Sequence, residues 1–195
     1  MPNLNALIGS RICHDLINPL GAISNGFELL GLAGVAEGPE MNLVGDSVEN
    51  ATARLKFLRL AFGAASADQL VSRTEILGTL EAIARGGRLS YSWNVSGSTS
   101  RRDARVALLS MMCVETALPM GGDITVDYDG DTWTIQTQHD RLNLDPALWV
   151  PLSKNICPEE LTPAQVHFGV LPEMSAEASR ILSLSHGADW VKIQF

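Results

Sequence analysis

The stretch Ser10-Arg11-Ile12-Cys13-His14-Asp15-Leu16-Ile17-Asn18-Pro19-Leu20-Gly21-Ala22-Ile23 lies inside a longer apolar rhythm. Ile8, Ile12, Leu16, Leu20, Ile23, Phe27 and Leu30 recur at steps of four or three, which makes one continuous stripe on a helix of about 25 to 30 residues. Gly31, Gly34, Gly38 and Pro39 punctuate a connection. Val44, Val48, Ala51, Leu55, Leu58 and Phe62 then repeat at 4-3-4-3-4 spacing, a heptad seam on a second long helix. The pair is an antiparallel helical hairpin. Two helices with one stripe each cannot enclose a core alone. The stripes are covered either by a second hairpin, in a homodimeric four-helix bundle, or by the rest of the chain, and the homodimer is the expectation.

After residue 70 the grammar changes, which places a domain boundary near residues 67–72 and divides the chain into 1–70 and 71–195. Ser72 and Glu75 form a capping-box pattern ahead of Ile76, Leu77, Leu80 and Ile83, and Gly86-Gly87 stops that helix. Leu89 to Val95 is a short strand candidate. Asp103 to Leu118 is a helix ended by Pro119 and Gly121-Gly122. Ile124-Thr125-Val126 and Trp133-Thr134-Ile135 flank Asp129-Gly130, the strongest short-range hairpin signal in the chain. Thr162-Pro163 reads as a cap with a first-turn proline, Ser175 to Ser185 as an amphipathic helix, and Trp190 to Phe195 as a final strand. The fold class is α+β: a helical hairpin followed by an α/β sandwich.

The 195 residues are 46% hydrophobic and 18% charged, a globular composition. No apolar run approaches the ~18 residues needed to span a bilayer, and the first residues lack the pattern of a secretory signal. A cytoplasmic, membrane-free protein is expected. The three cysteines show no CxxC spacing, so neither a disulfide framework nor a zinc site is supported. Net charge is −8, with −3 before residue 71 and −5 after it. Neither part is a basic nucleic-acid domain.

With Leu16 at the centre of the stripe, 100° per residue puts His14 about 160° away, opposite the core. Arg11 lies one turn before it and Asn18 one turn after, with Asp15 adjoining. Neutral imidazole is a nitrogen nucleophile near neutral pH. A carboxylate to orient it and a cation to steady phosphoryl oxygens complete what a positioning-and-electrostatics transfer requires. Arg54, Lys56 and Arg59 add a local basic patch in an acidic protein. Against this stands the plain alternative of a solvated helix face, since a lone His-Asp pair is a weak signal. His139, His167 and His186 share no ligand spacing and read as surface or capping residues. Trp133, Trp149 and Trp190 read as core or interface anchors.

The longer match His14-Asp15-Leu16-Ile17-Asn18-Pro19-Leu20 resembles the H-box of two-component histidine kinases. A proline inside a strong helical stripe is otherwise unfavourable, because it removes a hydrogen bond and bends the helix. Residues 10–23 with Asn25-Gly26, and Arg54-Leu55-Lys56-Phe57-Leu58-Arg59-Leu60-Ala61-Phe62-Gly63, resemble the alphaproteobacterial ChpT-type histidine phosphotransferases, a likeness that extends over essentially the full chain. It implies a dimeric kinase-like hairpin followed by a degenerate relative of the kinase ATP-binding (Bergerat) domain. Residues 112–126 resemble the kinase N-box and its following strand, but Thr116 stands where an asparagine is expected. Residues 136–144 contain no glycine to match the adenine-holding box, and no glycine-rich lid precedes the Ser175 helix. No ATP binding and no autokinase activity follow.

The resemblance further implies that His14 accepts a phosphoryl group from a receiver-domain aspartate and passes it to response-regulator receivers, the first receiver belonging to a hybrid histidine kinase. Asp15 orients the imidazole or takes its proton, and Arg11 and Asn18 neighbour the phosphoryl oxygens. Receivers dock over Ile17, Gly21, Lys56 and Arg59. Magnesium comes from the receiver, and this chain holds no metal. Two further classes stay open from the residues: a receiver phosphatase using Asn18 to position water, and a noncatalytic dimeric adaptor.

Overall fold

The computed structural model describes the backbone of residues 4–32, 34, 38–66, 68–85 and 87–195, and side chains for these apart from 4–8, 10, 11, 13–15 and 40. Ala67 and Gly86, named above at the boundary and at a helix stop, lie outside the described residues. The chain divides into two compact units, Met1–Ala64 with Gly78–Arg85, and Ala65–Leu77 with Gly86–Phe195.

The first unit is built on α1 (Leu4–Leu32) and α2 (Pro39–Phe62), which pack against one another. The 29-residue α1 runs through Pro19 without a break. Pro19 has no N–H to give the carbonyl of Asp15, so the helix forgoes one bond of its ladder immediately after His14. Pro39 occupies the first turn of α2, where its missing N–H costs nothing. Gly9 marks close approach: a Cβ there would stand 3.6 Å from the Phe62 carbonyl oxygen and 3.7 Å from its Cβ.

Burial in α2 departs from the heptad reading. Phe57 is fully buried, and Ala53, Leu60 and Ala61 nearly so. These residues lie on the side of the helix away from the seam. The seam itself stays open: Val44 is 43% exposed, and Val48, Ala51, Leu55, Leu58 and Phe62 are half-buried. On α1, Ile12, Leu16, Ile23 and Leu30 are between 42% and 53% exposed. The helix α3 (Arg73–Ala84) contributes residues 78–84 to this unit, and Arg85 reaches Glu49 at 3.6 Å.

The second unit is a five-stranded sheet covered on one face by helices. Its strands are β2 (Leu89–Trp93), β4 (Gly122–Tyr128), β5 (Trp133–Gln138), β6 (Ser183–His186) and β7 (Trp190–Gln194), in the order β2-β4-β5-β7-β6; β2 and β4 run parallel and the other pairs antiparallel. Register explains which face is covered. Trp93, Val126, Ile135, Ile193 and Leu184 pair across all five strands as one apolar row, and the next row is Ser92, Thr125, Gln136, Lys192 and Ser185. Because side chains alternate between faces, the first row lies under the helices and the second meets water. β1 (Leu70–Val71) and β3 (Thr99–Ser100) form a separate antiparallel pair.

The helical layer is α4 (Arg101–Thr116), α5 (Pro146–Ser153) and α6 (Val166–Glu177), with α4 packed on β4 and β5 and against α6. Ser100 caps α4 by accepting the Asp103 N–H, and Ser72 accepts the Glu75 N–H at the start of α3. The amphipathic helix expected over Ser175 to Ser185 is not formed. The helix is Val166–Glu177, and the chain leaves it through Ser179 at φ 57 with Arg180 N–H on the Ser175 carbonyl. This left-handed C-cap ends α6 and frees Leu182 and Leu184 for a strand period. The segment between β5 and α6 contains α5, capped by Asp145 with Pro146 in its first turn. Thr162 and Gln165 form a capping box on a short 3-10 turn, Pro163–Gln165.

Candidate functional site

The helical backbone of α1 places Arg11, His14 and Asn18 one turn apart on one face, with Asp15 beside them. The side chains of Arg11, His14 and Asp15 lie outside the described residues. Asn18 is exposed and Ile17 half-buried, and nothing stands within 4 Å of where a Cβ on Gly21 would be. This face is opposite the apolar stripe, and it is open where its side chains are described.

The second helix supplies the cations. Counting back in antiparallel register from the Gly9 and Phe62 approach, position 14 stands level with position 57. Lys56 and Arg59 are both exposed on α2 within one turn of that level. Arg54 lies over the Phe57 ring at 5.6 Å, a cation-π contact that anchors it to a fully buried side chain. The hairpin thus brings the level of His14 and the basic patch together, while Glu28, Asp46 and Glu49 fall nearer the connection.

In the second unit, Glu115 and Thr116 of the region that resembles an N-box, both half-buried, are engaged in hydrogen bonds. Thr116 donates its hydroxyl to the Cys113 carbonyl at 2.6 Å, and Glu115 accepts the Tyr91 hydroxyl at 3.0 Å. Cys113 is fully buried, and burial first, then the neighbouring Glu115 charge, push its thiol pKa well up. Across the helical layer Arg105 Nη2 meets Glu177 Oε2 at 2.8 Å, and Arg180 makes a two-pronged pair with Asp103 at 2.9 and 3.2 Å. These pairs tie α4 to α6 and to the residues that follow it. A sequence reading had no means to see them, since Arg105 and Glu177 are 72 positions apart.

Among the described residues no group of three or more His, Cys, Asp or Glu could hold a metal ion. A concavity of about 560 Å³ on the open sheet face is lined by Asp123, Thr125, Gln136, Gln138, Trp190 and Lys192 among others, and it holds none of the residues expected to carry phosphoryl transfer or receiver docking. His139 is part of a local turn, its Nδ1 accepting the Arg141 N–H at 3.0 Å. His186 is exposed. His167 corrects the surface reading: it is 2% exposed, beside the Phe168 ring at 4.9 Å. Trp133 and Trp149 are buried, and Trp190 stands on the open face under Lys192. Among the described residues no helix is long and apolar enough to cross a membrane.

The helical hairpin carrying the His14 position and the helix-covered sheet are the two parts expected from the H-box resemblance, and the comparisons with known proteins point to phosphotransfer. Residues 73–189 match the family described as histidine phosphotransferase C-terminal domain. Protein phosphotransferase ChpT of Brucella abortus (strain 2308) is 35% identical over 163 residues, 81% of this chain and 78% of that protein. The chain belongs to the histidine phosphotransferase family, and it is a ChpT-like enzyme of phosphoryl transfer in a phosphorelay. A solved bacterial phosphotransferase structure is 27% identical and covers 100% of this chain and 97% of its own at a TM-score of 0.68. A histidine kinase domain, from the blue-light activated kinase EL346 of Erythrobacter litoralis, aligns over 97% of this chain and 91% of its own at 12% identity and a TM-score of 0.44.

Proposed function

We propose that His14 is the covalent carrier, taking a phosphoryl group from a receiver-domain aspartate and delivering it to the receivers of response regulators. The observation that carries this reading is the level match: a histidine position on the face of α1 opposite its apolar stripe, level along the hairpin with the exposed cations of α2, in a histidine phosphotransferase family. The unprotonated imidazole nitrogen attacks phosphorus, the bond to the aspartyl oxygen breaks, and the aspartate leaves as a carboxylate. Asp15 holds the proton of the other ring nitrogen, which matters most once the phosphorylated ring is positive. Arg11 and Asn18 stand one turn to either side, in reach of the phosphoryl oxygens. Magnesium belongs to the receiver's acidic pocket.

Residues 1–70 serve as the dimerisation and phosphotransfer hairpin, and residues 71–195 as a degenerate kinase-type domain that binds no ATP. The half-exposed seams of α1 and α2 support the homodimer: α2 buries a different face within its own chain, so the heptad face is left for a second copy in a four-helix bundle. The engagement of Thr116 and Glu115 in hydrogen bonds within the unit, and the ion pairs closing α4 on α6, support the loss of a nucleotide site. Receivers dock over Ile17, Gly21, Lys56 and Arg59, and the protein works in the cytoplasm. The test is transfer from a phosphorylated receiver to this protein and to His14→Ala. Acid-labile, base-stable label on the wild type alone is expected. Label on both, or on neither with the complex formed, would overturn the assignment.

A further inference from the structure

The open face of the five-stranded sheet carries one aromatic side chain. Every other outward position of its strands is Ser, Thr, Asp, Gln or Lys, whereas Trp190 stands among them 38% exposed. The ring is held in place: a Cβ on Gly187 would collide with the indole nitrogen, so the absent side chain seats the ring on the turn between β6 and β7. Beside it opens the concavity of about 560 Å³, within the ~300–1,000 Å³ of small-ligand sites. Gln138 pairs with Trp190 on the neighbouring strand and Gln136 with Lys192, and Thr125 and Asp123 follow on β4. The Ser90 hydroxyl donates to the Asp123 carboxylate, and Gln138 Nε2 donates to Asp189 at 3.1 Å, which orients both groups. An exposed, fixed ring beside convergent polar groups is the composition of a ligand site.

We propose that this concavity binds a guanine base, as a nucleoside or mononucleotide, stacked on Trp190. The lining holds one anion, Asp123, and one cation, Lys192, on β4 and β7 with β5 between them, about 10 Å apart across the sheet. A flat ligand on the ring therefore meets an acceptor at one edge and a donor at another. Guanine matches both: its N1–H and 2-amino group donate together to a carboxylate, and its O6 and N7 accept from an ammonium. Adenine presents a donor where guanine has O6 and lacks the 2-amino group, and a pyrimidine offers one ring to stack instead of two. Lys192 Nζ lies 5.9 Å from the centre of the Trp190 ring, so a base stacked there comes within its reach. A single lysine in the lining, in a chain of net charge −8, leaves no cations for a polyphosphate or a nucleic-acid backbone. The concavity lies on the sheet face away from α4, whose end carries the N-box resemblance, and the proposal does not depend on the assignment of His14.

The test is calorimetric titration of the full chain with GMP, IMP and AMP, which share one phosphate and differ in the base. GMP is expected to bind saturably, IMP, which lacks the 2-amino group, about tenfold more weakly, and AMP more weakly still. Trp190→Ala is expected to weaken GMP binding about tenfold and Trp190→Phe to restore most of it, since stacking needs a ring and not an indole. Asp123→Asn is expected to remove the preference for GMP over IMP. All three variants are expected to keep the wild-type melting temperature, which separates loss of the site from loss of the fold. Four outcomes would each overturn the proposal: no saturable heat with GMP, equal binding of GMP and IMP, a GMP affinity unchanged by Trp190→Ala, or a loss that Trp190→Phe does not restore.

Discussion

Replacing Glu177 tests the closure of the helical layer. Its carboxylate lies 2.8 Å from Arg105 Nη2, and the Arg105 side chain is 1% exposed. Removing one partner of a fully buried pair costs about 3–5 kcal/mol, because a charge is left in a low-dielectric interior. Glu177 is itself 32% exposed and Arg105 has a further interaction besides it, so the cost falls to about 2–3 kcal/mol. For a chain of this size about 1 kcal/mol moves Tm by about 2–4 °C, so Glu177→Ala melts about 5–10 °C lower. The assays are thermal unfolding and urea unfolding, both followed by tryptophan emission, since Trp93, Trp133 and Trp149 are all buried in the same unit. Arg105→Met/Glu177→Leu recovers at least half of the loss, because an apolar pair of similar volume carries no desolvation penalty. A single variant within about 0.5 kcal/mol of wild type, or a double variant no better than the single, refutes this reasoning.

Gly121 has φ 93, and a Cβ there would collide with the Arg88 carbonyl oxygen, so Gly121→Ala destabilises by about 3 kcal/mol or more in the urea assay. Asp129 accepts backbone N–H groups from Thr132 at 2.8 Å and Asp131 at 3.0 Å, which lower its pKa. A lowered folded value means stability present above the ordinary aspartate pKa and lost as pH falls through the folded one, so Asp129→Asn flattens the acid limb of stability against pH below about 4. Cys113 keeps its proton at pH 8, and native alkylation followed by peptide mass analysis modifies exposed Cys157 and spares Cys113. Calorimetry with ATP and magnesium shows no saturable heat, and a binding isotherm would restore a nucleotide site.

What the sequence carried well were features enforced by local chemistry. The α1 stripe, the Ser72 cap and the Asp129-Gly130 turn each depend on residues a few positions apart, and each is where the periodicity placed it. The expected helix over 175–185 failed because its apolar spacing suits a helix and a strand alike. A serine at φ 57 decided between them, and serine carries no strong signal for that conformation. Short α5 gives no periodic signal, because it has Pro146 in its first turn and Pro151 near its end.

The site was legible to the extent that it is a helix face. That His14, Arg11 and Asn18 share one face follows from a 3.6-residue period, and the choice of His14 as the candidate from the H-box resemblance, whereas the level of Lys56 and Arg59 depends on where the hairpin turns and how its helices slide, which Gly9 beside Phe62 fixes. The heptad seam shows the same division. Its period was plain, but which α2 face is satisfied within the chain depends on buried Phe57 and Leu60, residues that a seam-centred reading assigns to the outside. A helix with two apolar faces, one buried and one half-open, has one more contact to make than a single copy supplies, and that surplus argues for assembly more directly than the heptad does.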